Sequence, residues 1–95
     1  MRVHLEFLGL PMVSDIIGAK KLNLDFSGET VKDVMEEFIR RYGKKVRDTF
    51  YDTDGHLDPM IQIALNGKSF ISADRLDTAL KEGDYLAFFL LLAGG

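Results

Sequence analysis

The sequence contains no cysteine, no tryptophan and few prolines, two in 95 residues. Without cysteine the chain can form no disulfide and no thiolate metal site, and it has no cysteine nucleophile. No apolar run approaches the ~20 residues that a membrane-spanning helix needs, and the charged N-terminal segment does not resemble a signal peptide. We therefore expect a cytoplasmic protein that does not bind membranes.

The sequence also has no excess of positive charge. Lysine and arginine number 12 against 15 acidic residues, a net charge of −3 that counts against nucleic-acid binding. The chain is 46% hydrophobic and 28% charged, as is usual for a globular protein. Its length fits one domain with a single core.

Common catalytic motifs are absent as well: there is no G-x-S-x-G, no P-loop and no H-E-x-x-H. We interpret His4 and His56 as solvated side chains. The segment from Asp52 to Gly55 resembles part of an EF-hand loop, but its register would place Phe50 and Ile61 where calcium needs carboxylates. The sequence therefore predicts no metal site, and these aspartates are interpreted as turn formers.

One amphipathic helix is the clearest element of the sequence. Apolar residues recur with the spacing of one helical face over residues 31–42, Thr30 and Asp33 predict a capping box, and Gly43 predicts the end of the helix. A basic stretch follows, formed by Arg40, Arg41, Lys44, Lys45 and Arg47. We interpret it as a solvated helix end, with a docking patch for an acidic partner as the alternative.

Alternating apolar residues predict strands at 3–7, 22–26 and 61–65. A short return strand is predicted at 68–71, and a segment that is apolar throughout predicts a central strand at 85–92. The pair Asn66-Gly67 predicts a hairpin turn with two positive φ angles. Residues 12–19 and 44–58 show no clear period, and 76–80 are predicted to form a single helical turn. The order β-β-α-β-β-β predicts an α+β domain over residues 1–92, a mixed sheet wrapped around one main helix with its first and last strands parallel at the centre.

The last predicted strand is apolar on both faces, although a single helix can cover only one of them. We expect the other face to bind a partner, or to drive self-association. The candidate partner-binding residues are Phe88, Phe89, Leu90, Leu91 and Leu92.

The sequence ends in Ala93, Gly94 and Gly95, which we expect to form a flexible tail able to enter a narrow channel. A terminal carboxylate is inert as an anion. ATP could activate it as an acyl adenylate, and a sulfur donor or a lysine amine could then attack the carbonyl. That chemistry would belong to a partner enzyme.

Several segments carry a family resemblance, namely residues 52–59, 64–67, 76–84, 87–89 and 93–95. With the strand order, they make the chain resemble the ubiquitin-like β-grasp superfamily, and within it the MoaD/ThiS-type sulfur carriers, above all the archaeal-type small subunit of molybdopterin synthase. The family usually has two prolines where this chain has Leu90 and Leu91.

The resemblance implies a function for Gly95. A ubiquitin-activating-like adenylyltransferase would adenylate its carboxylate and consume the ATP, so no cofactor would stay bound to this chain. The resulting thiocarboxylate would donate sulfur to a pterin precursor in the large synthase subunit, and the chain alone would not be catalytic. Two alternatives stay open: a protein modifier joined to lysines through Gly95, and a non-reactive β-grasp interaction domain.

Overall fold

The structure, a computed structural model, describes residues 1–90. In chain order its elements are strand β1 (Arg2–Leu8), helix α1 (Pro11–Ile17), strand β2 (Lys21–Asp25), helices α2 (Val31–Tyr42) and α3 (Lys44–Phe50), strands β3 (Ile61–Leu65) and β4 (Ser69–Ile71), a 3₁₀ turn (Ala73–Arg75) and strand β5 (Tyr85–Leu90). None of the helices within residues 1–90 is long and apolar enough to cross a membrane.

The five strands form one mixed sheet in the order β2-β1-β5-β3-β4. Strands β1 and β5 run parallel at its centre, and every other neighbouring pair is antiparallel. The predicted α+β architecture is therefore confirmed, and so is the central pairing of the first and last strands. The register of β1 on β5 joins Leu5 to Leu86 and Phe7 to Phe88, which puts the apolar residues of both strands on one face.

The core lies between that inner face of the sheet and helices α2 and α3. Phe7 stacks between Phe38 of α2 and Phe88 of β5, with ring centroids 5.2 and 5.4 Å apart. Phe50 of α3 meets Phe88 edge-on at 5.5 Å. All four rings are at most 1% exposed. This aromatic cluster joins both helices to the two central strands, and aromatic pairs of this kind add about 0.5–1.5 kcal/mol beyond the area that they bury.

The predicted capping box at the start of α2 is confirmed. The backbone N–H of Asp33 donates to the Thr30 hydroxyl at 3.2 Å, and the Asp33 carboxylate accepts from the backbone N–H groups of Glu29 and Thr30 at 2.9 and 3.1 Å. These hydrogen bonds satisfy donors that the first helical turn leaves unpaired. They also lower the pKa of Asp33, because they stabilise its charged form.

Gly28 is required by this cap, and replacing it with alanine should be costly. A Cβ at Gly28 would lie 2.5 Å from the Asp33 Cβ, so the aspartate would have to move off its backbone donors. We expect Gly28→Ala to lower the free energy of unfolding by about 1–2 kcal/mol, the usual cost of a lost cap. Ser27→Ala, at an exposed neighbouring position, is the control and should stay within about 0.5 kcal/mol. Equal urea midpoints for the two variants would contradict this role.

Two helices were not predicted. Residues 12–19 and 44–58 had no visible period, yet they hold all of α1 except its first residue, Pro11, and the whole of α3. Each helix has seven residues, and α1 fully buries only Val13, whereas α3 buries Val46 and Phe50. Helices this short depend on tertiary packing rather than on their own propensity. The local signals were Pro11 at the first turn of α1 and the left-handed Gly18 at its end.

The predicted helical turn over residues 76–80 is wrong. The 3₁₀ turn lies earlier, at Ala73–Arg75, and Ala79 instead forms a bridge with Thr30. The backbone N–H of Leu80 donates to the Glu29 carbonyl at 2.7 Å. Pairing with the residues before α2 therefore replaces local helical hydrogen bonds in this segment.

The predicted hairpin is confirmed. Asn66 and Gly67 have φ angles of 55° and 66°, and the chain returns as β4. This turn sets the register of β4 on β3, which pairs Ala64 with Phe70.

Candidate functional site

The predicted terminal site residues lie outside the described part of the chain. They are Leu91, Leu92, Ala93, Gly94 and Gly95. The predicted end of the last strand at residue 92 and the boundary before the tail also lie there. The functional site can therefore be built only up to Leu90, the last residue that the structure describes.

The structure separates the other three predicted partner-binding residues. Phe88 is 0% exposed and belongs to the aromatic core, so it cannot touch a partner while the protein is folded. Phe89 has the opposite parity and lies, half-buried, on the outer face of the sheet. Leu90 is 36% exposed and lines a groove beside α1 and α3.

We name the outer-face surface around Phe89 the apolar sheet patch, although Gln62 of β3 is a polar register neighbour of Phe89. Its register neighbour on β1 is Leu8, and Phe70 of β4 meets the Phe89 ring edge-on at 6.2 Å. Leu8 and Phe70 are 44% and 70% exposed. The apolar sheet patch consists of Leu8, Ala64, Phe70, Ala87 and Phe89.

Sequence reasoning predicted such a surface from Phe89 and its neighbours but missed Phe70. The signal lay in the hairpin, because its register brings position 70 to the outer face beside Ala64. Contiguous exposed apolar surfaces are uncommon on isolated proteins and mark sites of protein contact.

The other half of the outer face is polar, and its side chains form ion pairs and hydrogen bonds with one another. Arg2 pairs with Asp25 at 2.8 Å, and the His4 Nδ1 lies 2.6 Å from the Asn23 Oδ1. These cross-strand pairs join β1 to β2. The outer face is thus divided into a self-paired polar half and an apolar half.

Tyr85 marks the border between the two halves. Its hydroxyl donates a hydrogen bond to the Glu6 carboxylate across β1 and β5. That bond, with some desolvation, raises the pKa of Tyr85 to about 12, because it stabilises the neutral hydroxyl that donates to Glu6.

Three of the five residues of the basic stretch, which runs from the last turn of α2 into α3, form ion pairs within the chain. Arg40 and Arg41 both donate to Glu37, at 3.1 and 2.8 Å through their Nε atoms, and lower its pKa. Lys44 pairs with Asp48 at 3.0 Å. This internal pairing favours the structural interpretation of the stretch over a docking patch for an acidic partner.

The segment after α3 forms the predicted turn. The Asp52 carboxylate accepts from the backbone N–H groups of Asp54 and His56, both at 2.9 Å, which lowers the pKa of Asp52. The side chains of Asp52, Asp54 and His56 come within 4.8 Å of one another, all exposed. Hydrogen bonding in the turn accounts for Asp52 without a ligand.

Comparison with known proteins agrees with this geometry. The ThiS family profile matches residues 13–95, whereas no curated protein sequence matches the chain significantly. Small archaeal modifier protein 1 from Haloferax volcanii has a similar structure, with a TM-score of 0.79, 22% identity and full coverage of both chains.

Two further solved structures have the same fold. A protein of Pyrococcus furiosus named as molybdopterin converting factor subunit 1 has a TM-score of 0.65 and 23% identity, over 97% of this chain and 99% of its own. A chain of the Amycolatopsis orientalis BexX/CysO complex has a TM-score of 0.70 and 19% identity, over 98% and 99%. At these identities the likeness shows the fold alone, and the predicted β-grasp fold is confirmed.

Proposed function

The chain belongs to the ThiS family of ubiquitin-like sulfur carriers, and from that premise we propose that it carries sulfur as a thiocarboxylate on Gly95. The observation that carries this proposal is the extent of the family match, which runs through Gly94 and Gly95 at the end of the sequence. Membership in a family of small carrier proteins agrees with the prediction that the chain alone is not catalytic.

The chemistry needs two displacements at the terminus. A carboxylate oxygen of Gly95 attacks the α-phosphorus of ATP, and pyrophosphate leaves. Hydrosulfide, or a donor equivalent to it, then attacks the acyl carbon, and AMP leaves with the bonding electron pair. Gly95 offers no side chain to obstruct either step. The activating enzyme supplies the catalytic groups, and ATP is its substrate.

The apolar sheet patch supports docking of that enzyme. Strand β5 contributes Phe89 to the patch, and Phe89 precedes Gly95 by only six residues, so an enzyme seated on the patch would have the terminus within reach. The five residues after Leu90 can extend by at most ~17 Å. The docked partner would be a ubiquitin-activating-like adenylyltransferase, and later the sulfur acceptor.

For the acceptor, we propose the large subunit of molybdopterin synthase, which would receive the sulfur for a pterin precursor. The sequence resemblance and the fold shared with the Pyrococcus furiosus protein favour this pathway. A second candidate function, protein modification through Gly95, is favoured by the fold shared with small archaeal modifier protein 1. The two functions share the adenylate and differ in the nucleophile that follows.

ATP–pyrophosphate exchange with the cognate activating enzyme tests the shared step. The full chain should stimulate exchange, because its carboxylate accepts the adenylyl group reversibly. If sulfide then yields a thiocarboxylate, the chain acts as a carrier. If the adenylate instead yields only bonds to lysine amines, it acts as a modifier. The absence of any exchange would refute both functions and favour a non-reactive interaction domain.

Phe89→Asp should weaken binding of the activating enzyme by more than tenfold, about 1.4 kcal/mol, because it places a charge in the apolar sheet patch. The isolated domain should stay folded, since Phe89 lies on the outer face. Asn23→Asp, on the polar half of the same face, is the matched control and should bind as wild type does. Titration calorimetry measures both variants. If Phe89→Asp folds and binds normally, the patch is not the docking surface.

A further inference from the structure

A second surface lies at the end of β5, and we name it the β5 groove. It has a volume of about 730 Å³ and is bounded by α1, α3, the loop between β1 and α1, and the start of β3. Its apolar lining comes from Leu10, Pro11, Met12, Ile16, Ile61 and Leu90. Leu10 and Ile61 are nearly buried and form the floor, whereas Met12 is 58% exposed.

Met12 contacts the opposite helix at the mouth of the groove. Its sulfur lies 3.3 Å from the Oγ1 of Thr49 in α3, whose hydroxyl donates to the Lys45 carbonyl at 2.9 Å. Methionine is flexible and polarizable, and it suits surfaces that adapt to an apolar ligand. The groove thus has a fixed apolar floor and an adaptable upper edge.

The rim of the groove is negatively charged. Three carboxylates, those of Asp15, Asp48 and Asp58, line it together with one lysine, Lys45. Lys44 neutralises Asp48 at 3.0 Å. Within residues 1–90, neither Asp15 nor Asp58 forms a salt bridge. The rim therefore keeps a negative charge even when both lysines are counted.

This charge selects among possible occupants. A negative rim disfavours the chain's own terminal carboxylate, and it disfavours a second copy of a chain whose net charge is −3. It favours an apolar segment that carries lysine or arginine. Leu90, the last described residue of β5, also lines the groove.

We propose that the β5 groove docks an apolar, positively charged segment of the enzyme that acts on Gly95. The identity of that enzyme rests on the proposed function, whereas the chemistry of the occupant rests on the groove itself. The apolar sheet patch and the β5 groove then flank the last residues of β5 on opposite faces of the sheet. Docking at both would fix the direction in which the terminus leaves the domain.

A defined peptide tests the chemistry of the groove without the enzyme. The probe is a short acetylated peptide of leucine and lysine, titrated into the isotope-labelled full chain and followed by amide chemical shifts. Saturable shifts at the groove residues are expected, and a peptide of leucine and glutamate should cause none. The absence of groove shifts with the lysine peptide would overturn the proposal.

Two variants with matched controls locate the binding site. Met12→Ser removes the apolar edge, and Asp15→Lys reverses the rim charge; each should weaken binding of the lysine peptide by about tenfold. Met60→Ser and Asp77→Lys change an exposed methionine and an exposed carboxylate outside the groove. They should bind as wild type does. Equal weakening by test and control variants would overturn the assignment.

The same titrations would also show whether the β5 groove has a different occupant. Groove shifts caused by removing residues 91–95, with tighter peptide binding, would assign the groove to the chain's own terminus. Groove shifts that grow with protein concentration would assign it to a second copy. Either result would overturn the proposal.

Binding measurements with the cognate activating enzyme distinguish failure of the proposed function from failure of docking in the β5 groove. If the wild-type chain does not bind the activating enzyme, the proposed function is refuted, whereas the peptide result still holds. Normal binding by both Met12→Ser and Asp15→Lys would refute docking of that enzyme in the groove and leave the proposed function standing.

Discussion

Phe88→Asp is expected to prevent folding, whereas the same substitution at the adjacent Phe89 should leave a cooperatively folded domain. Phe88 is 0% exposed and contacts the rings of Phe7 and Phe50. Losing a buried phenylalanine costs about 3–5 kcal/mol, and an unpaired buried carboxylate adds several more. The sum approaches the whole stability of a small domain, about 5–15 kcal/mol.

Circular dichroism and urea unfolding measure this contrast. Phe88→Leu keeps an apolar side chain and should fold with reduced stability, which shows that the position tolerates change when no charge is buried. If Phe88→Asp unfolds at the same urea concentration as Phe89→Asp, then β5 is displaced by one residue, because such a slip exchanges its two faces.

Deleting Gly94 and Gly95 should abolish adenylation and sulfur loading but leave stability unchanged within about 0.5 kcal/mol. Both residues lack a side chain, and terminal residues contribute little to folding. The proposed chemistry, by contrast, would depend on an unhindered acyl carbon at the end of an extension long enough to reach the active site of the partner.

The shortened chain provides its own control for docking. It should still compete with the full chain for the activating enzyme, because the apolar sheet patch is unchanged. A fall in stability of ~2–5 kcal/mol, the size of a core truncation, would contradict a terminus that is separate from the folded domain. Persistent loading of the shortened chain would contradict the role of Gly95.

The sequence predicts the central elements because their signals are local and strong. Helix α2 has an apolar face of three turns and the Thr30 capping box, and Asn66-Gly67 leaves few alternatives to a hairpin. Strand β5 was different, since apolar residues occupy both of its faces. Only its register with β1, where Phe7 pairs with Phe88, decides that Phe88 is buried and Phe89 is not.

The surfaces were harder to predict because they combine distant segments. Phe70 joins the apolar sheet patch through the hairpin register, and Leu8 joins it through pairing with β5. The β5 groove needs α1 and α3, two short helices without a visible period. The role of Gly94 and Gly95 stays a prediction, which was made from the chemistry of the residues themselves and not from their packing.

The most direct test of sulfur carriage is the intact mass of the chain after incubation with the cognate activating enzyme, ATP and sulfide. A carrier should gain the mass difference between one sulfur and one oxygen, confined to its C-terminal peptide. That gain should disappear without ATP and in the chain that lacks Gly94 and Gly95. An unchanged mass, under conditions in which the enzyme forms the adenylate, would contradict sulfur carriage.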